Sequence, residues 1–126
     1  MLFRSPVSAA AALATLEVIE RDRLVENAAQ VGAHALSRLR ELQRKHALIG
    51  DVRGRGLLIG IELVEDRGTK VPAKAAAERV LYRALSRGLS FKTTMGNVLT
   101  WTPPLIVTQT QMDWAIDLLD ECLAAE

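Results

Sequence analysis

Residues able to do chemistry are few in this chain, and their spacing limits what they can form. Glycines at 54, 56 and 60, within IGDVRGRGLLIGIELV, offer backbone that could wrap a phosphate. A dinucleotide-binding turn needs a strand, then the glycines, then a helix whose amino end meets the pyrophosphate. Here the glycines precede or interrupt a strand-like run, so they read as a tight turn and close backbone packing. No GxxxxGK[ST] segment is present. His34 and His46 lack both the i,i+4 spacing and the cysteine company of a metal site, and read as surface helix residues. Cys122 is the only cysteine, which rules out an intrachain disulfide. Set among Leu118, Leu119 and Leu123, it reads as a small buried hydrophobe. The serines have no GxSxG context, and nothing marks Glu62 and Glu65 as a catalytic carboxylate pair.

The totals exclude further classes. The chain has 126 residues, 49% apolar and 25% charged, the profile of one globular domain. A formal charge of +1 leaves no electrostatic footprint for nucleic acid. Arg38, Arg40, Arg44 and Lys45 crowd one region, but Glu41 interrupts them, so they read as a solvated helix face. The apolar run 56–61 ends at Glu62, far short of the ~20 residues that span a bilayer. No membrane partner is expected, and the cytoplasm is the default location.

The elements that must position these residues follow from periodicity. Ser5 can cap a helix and Pro6 suits its first position, predicting a helix to about residue 20. Asp22 reads as the next cap. Leu24, Ala28, Val31, Ala35, Leu39 and Leu42 then make one apolar stripe on a long helix ending near His46. Residues 49–64 read as one strand, either covered on both faces or carrying a glycine-permitted bend, and 65–71 as a charged turn. Pro72 is expected to open a third helix that buries Ala77, Val80, Leu81, Ala84 and Leu85 and ends at Gly88. Residues 89–93 and 98–102 read as strands joined by a Met95-Gly96-Asn97 hairpin. Thr108 and Gln111 form a capping box for a last helix with Met112, Ala115, Ile116, Leu119, Cys122 and Leu123 inside. The expected class is α+β: long N-terminal helices, then a three-stranded, mainly antiparallel sheet covered by helices. Either all the helices share one sheet face, or the other face meets something outside this chain.

Three blocks of sequence carry a family likeness. SPVSAAAALATLEVIERDRLVENAAQVG resembles the N-P-x-S/A-x-A-A-A-x-x-x-L segment of class III (ornithine/4-aminobutyrate type) aminotransferases. IGDVRGRGLLIGIELV is similar to that family's V-R-G-x-G-L-x-x-G-I-E-L. NVLTWTPPLIVTQTQMDWAIDLLDECL resembles its closing N-V-x-R-x-x-P-P-L segment. The blocks cover almost the whole chain in family order. The resemblance implies the C-terminal small domain of a fold-type I enzyme that uses pyridoxal 5'-phosphate as an electron sink. Residues 6–46 would be the interdomain and long helices and 47–126 the α+β domain, with 6–126 one structural unit. Residues 1–5 look foreign to the family pattern and are expected to be a non-native leader. The cofactor lysine is expected upstream, in a missing large domain of the same polypeptide. Lysines 45, 70, 74 and 92 lie in no matching context, so this chain alone is expected to bind no cofactor and to be inactive. The intact enzyme is expected to be a homodimer, with its main contacts in the missing part.

One departure touches substrate choice. Where many family members carry an arginine that grips a substrate carboxylate in bidentate fashion, this sequence has Thr100. A threonine makes no such fork. Read functionally, this implies a donor whose acid is absent, held elsewhere or replaced; read structurally, Thr100 is a β-branched strand residue on a pleated surface. The resemblance implies transfer of an amino group from an ω-amino acid or amine to a keto acid. Lyase or mutase chemistry on the same scaffold is the alternative. The residues themselves also allow a non-catalytic α+β module that binds a small ligand or partner. Trp101, next in the strand, reads as a core aromatic on the opposite face.

Overall fold

The computed structural model describes residues 5–126, arranged as α1 (Pro6–Arg21), α2 (Leu24–Lys45), β1 (Ile49–Arg55), β2 (Leu58–Leu63), α3 (Lys74–Ser86), β3 (Lys92–Thr94), β4 (Val98–Trp101) and α4 (Gln109–Ala124). The expected leader lies outside the described residues except for Ser5, which caps α1 by accepting a hydrogen bond from the Ser8 amide. Pro6 takes the first helical position, where its missing N–H leaves no hydrogen bond unmade. Asp22 does not cap α2: it closes α1 as its C-cap residue, and its carboxylate pairs with the Arg21 guanidinium at 2.7 Å. Arg23 occupies the capping position instead, in the left-handed region at φ 52°.

Among the described residues the sheet has four strands rather than the expected three, in the order β1-β2-β4-β3, and every pairing is antiparallel. Residues 49–64 are not one bent strand. Arg55 pairs with Leu58, so Gly56 and Leu57 form a two-residue hairpin turn in which Gly56 takes φ +55°. The second hairpin is the expected one, with Met95 and Gly96 both at positive φ. Asn97 continues the β2–β4 ladder from its buried position: its side-chain amide donates to the Leu63 carbonyl at 3.0 Å.

Pro72 does not open α3. It bridges Val64 as a short extension of the sheet, and the Ala73 amide donates to the Leu63 carbonyl at 3.1 Å, so the helix starts at Lys74. Its buried face is Ala76, Ala77, Val80 and Ala84, whereas Leu85 is exposed and Leu81 only half-buried. The α4 capping box forms as read, and all six residues of its expected stripe are buried.

The buried faces of α2, α3 and α4 meet the same side of the sheet in one hydrophobic cluster containing Leu39, Val80, Ile61, Leu99, Ile116 and Leu119. α1 buries none of its side chains and leaves Val7, Leu13 and Leu16 exposed. The tightest contact between helix and sheet is backbone to backbone. A Cβ added at Gly32 of α2 would stand 2.1 Å from the carbonyl oxygen of Gly56 in the β1–β2 turn. Gly32→Ala must therefore push α2 off that turn, and is expected to cost about 1–3 kcal/mol of stability. Urea unfolding of the chain checks this, and an unchanged midpoint would contradict the contact.

Candidate functional site

With the helices gathered on one face, the other face of the sheet is open to whatever lies beyond the described residues. Strand alternation sends every second side chain there, and the register aligns them in rows. Arg53, Gly60, Thr100 and Lys92 form one row across all four strands. Asp51, Glu62, Val98 and Thr94 form the next. Between these rows, Val52, Ile61 and Leu99 point into the core.

The rows are tied together by polar contacts. Arg53 Nη1 donates to Asp51 Oδ2 and Glu62 Oε2, both at 2.7 Å. Thr94 Oγ1 and Thr100 Oγ1 share a hydrogen bond at 2.8 Å. Gly60 leaves a shallow floor between Arg53 and Thr100. Thr100 is half-buried, and Lys92 is exposed and forms no ion pair among the described residues. Lys92 and Thr100 also line a cavity of about 660 Å³ at this end of the sheet, whose apolar wall includes Trp101, Pro103, Val107 and Trp114. Trp101 is buried as a core aromatic, with its ring centroid 6.1 Å from that of Phe91 and its indole N–H unpartnered.

The other candidate residues are structural. His34 and His46 are not free surface residues: they are half-buried between α2 and α4, bonded to Asp113 and Asp120. Arg38 bridges Asp113 and Asp117, and Lys45 reaches Asp120 at 2.6 Å, so part of the basic cluster fastens one helix to another. Their partners lie more than seventy residues away along the chain, which hid them from a local reading. Cys122 is buried, and burial pushes its thiol pKa up, away from the reactive thiolate. The lysines fall on separate elements: Lys45 is paired on α2, Lys70 lies in the loop after β2, Lys74 begins α3 with its stem against Gly96, and Lys92 is on β3. Among the described residues no helix is long and apolar enough to cross a membrane.

The family profile described as Aminotransferase class-III matches residues 3–123. The chain belongs to the class III aminotransferase family. It is 47% identical over 121 residues to isoleucine 2-epimerase of Lentilactobacillus buchneri, covering 96% of this chain and 27% of that protein. It is 43% identical to (R)-1-hydroxy-2-aminoethylphosphonate ammonia-lyase of Vibrio splendidus, covering 96% of this chain and 25% of that protein. A solved Bacillus anthracis aminotransferase superposes with a TM-score of 0.91 at 37% identity, over 97% of this chain and 29% of that one. The chain thus spans about a quarter of the length of the curated relatives it matches. Family sequence patterns pointed to Thr100, whereas Arg53, Gly60 and Lys92, which share its row, were not singled out. Their shared row could have been found only by fixing the register of both hairpins.

The helix-fastening carboxylates give the chain a pH dependence. Burial alone would raise the Asp120 pKa, but hydrogen bonds from Lys45 and His46 outweigh it and hold it below the usual range. The His34 hydrogen bond, aided by Arg38, lowers Asp113 against a smaller effect of burial. A carboxylate depressed in the folded state contributes stability that is complete above its unfolded pKa of about 3.9 and is lost as pH falls through the folded value. Asp120→Asn is expected to lower the urea midpoint near neutrality and to flatten its fall on acidification below about pH 5. A variant with the same pH profile as the parent would contradict this role.

Proposed function

We propose that this chain is the substrate-facing small domain of a longer, pyridoxal-phosphate-dependent class III enzyme, which moves an amino group from an ω-amino acid or amine to a keto acid. The observation that carries the reading is Thr100, half-buried on the open sheet face beside the cavity, at the position of the family's carboxylate-binding arginine. With no guanidinium there, the α-carboxylate of an ordinary amino acid finds no fork at this point.

The residues of this chain do not fit the cofactor by themselves. The four lysines are dispersed, and the glycine turn that could have offered amides to a phosphate is closed by Gly32. The cofactor would be held by the remainder of the polypeptide, and when bound it supplies the electron sink for chemistry at the amino-bearing carbon. The residues described here would bind and orient the rest of the substrate and exclude water from it. Exposed Val7, Leu13 and Leu16 on α1 give the remaining domain an apolar surface to cover.

A second reading is racemisation or elimination on the same scaffold, favoured by the similarity to an epimerase and an ammonia-lyase. Incubating the intact enzyme with one enantiomer of an amino acid, with and without a keto acid, separates the readings. Amino transfer needs the keto acid, whereas inversion or ammonia release does not.

Thr100→Arg in the intact enzyme is expected to raise kcat/KM for α-amino acids relative to simple amines by about tenfold, the scale of one charge-assisted hydrogen-bond pair. An unchanged ratio would remove Thr100 from substrate selection.

A further inference from the structure

Lys92 is directly opposite Thr100 in the β3–β4 register. Opposed residues share a sheet face, with Cβ atoms about 4.5–5.5 Å apart. The flexible four-carbon stem of a lysine lets its ammonium cover the position beside it. Lys92 is also uncommitted. The two acids of the neighbouring row, Asp51 and Glu62, are both held by Arg53.

Thr94 and Thr100 add a second donor. Two hydroxyls joined by one hydrogen bond have two protons between them and use only one, so the other can point outward. An ammonium beside a free hydroxyl proton is an anion site of modest strength and loose geometry, unlike the rigid fork of an arginine. Lys92 and Thr100 border the cavity at this edge of the sheet, whose accessible apolar surface comes from Pro103, Val107 and Trp114 and suits a run of methylenes.

We propose that Lys92, together with the Thr94–Thr100 hydroxyl pair, binds the remote acid group of the donor. The donor is then an ω-amino acid whose aliphatic spacer lies along the apolar wall. This rests on the small-domain reading above and adds the residue that selects the substrate. Lys92 is exposed on an edge strand, so its substitution leaves the core untouched.

Calorimetric titration of the intact holoenzyme with pentanoate, butylphosphonate and neutral pentanamide tests the proposal without relying on turnover. The acids are expected to bind saturably and the amide at least about tenfold more weakly, the scale of a charged hydrogen bond. Lys92→Met should weaken acid binding by about tenfold or more while leaving the amide unchanged, and Lys92→Arg should largely retain it. Tighter binding of pentanoate than of butylphosphonate supports a carboxylate as the acid, and the reverse order supports a phosphonate. Equal acid binding by the parent and Lys92→Met, or no acid binding by the parent, would overturn it. Lys92-dependent acid binding in an enzyme that transfers no amino group would uphold the site and sink only the amino-transfer reading.

Discussion

Everything in this chain depends on helices packing against one side of the sheet only. Close approach is what allows it. Gly32 and Gly56 bring the α2 backbone against the β1–β2 turn, with no side chain between them. From that contact α2 runs along the sheet, and α4 lies beside α2, fastened by Asp113, Asp117 and Asp120 to His34, Arg38, Lys45 and His46. The gain from burial is concentrated on one face, where Ile59, Ile61, Leu63 and Leu99 are at most 1% exposed. The opposite face carries mainly polar side chains, with Val98 the buried apolar residue of its rows.

That division of labour is what makes a polar row possible. On a sheet covered on both sides, Arg53, Thr94, Thr100 and Lys92 would each need a buried partner or carry a desolvation cost. On an open face they need none, and their order is set by hydrogen-bond register alone. The register places a committed cation, Arg53, at one side and an uncommitted one, Lys92, at the other, with the small residues Gly60 and Thr100 between. A class III arginine at position 100 would fill that gap. With threonine at position 100, the uncommitted cation of this row is Lys92, one strand outward.

Local signals were legible in the sequence and distant ones were not. The Thr108–Gln111 capping box, the α2 stripe and the Met95-Gly96 turn each involve a few neighbouring residues, and each formed as read. The 49–64 run was misread because the turn between its strands is only two residues, Gly56 and Leu57, neither of them polar, so Leu57 merges with the apolar LIGIEL of β2. Pro72 was misread because a sheet extension to Val64 outcompeted the helix start it would otherwise favour. His34 and His46 looked exposed because the aspartates that cover them arrive from the far end of the chain. Thr100 was visible through family likeness, whereas Lys92 acquired meaning only once pairing placed it opposite.

The central claim is that the open sheet face looks onto the substrate in the intact enzyme. The most direct measurement is the alkylation rate of a cysteine placed at Thr100, read at that position by mass spectrometry, with Ser37→Cys on the exposed side of α2 as a control. Cys122, buried and with its thiol pKa raised, does not compete for the reagent. Donor at ten times its Kd is expected to slow alkylation at position 100 by about tenfold, in proportion to occupancy, and to leave position 37 unaffected. Equal rates at position 100 with and without donor would contradict the assignment of this face.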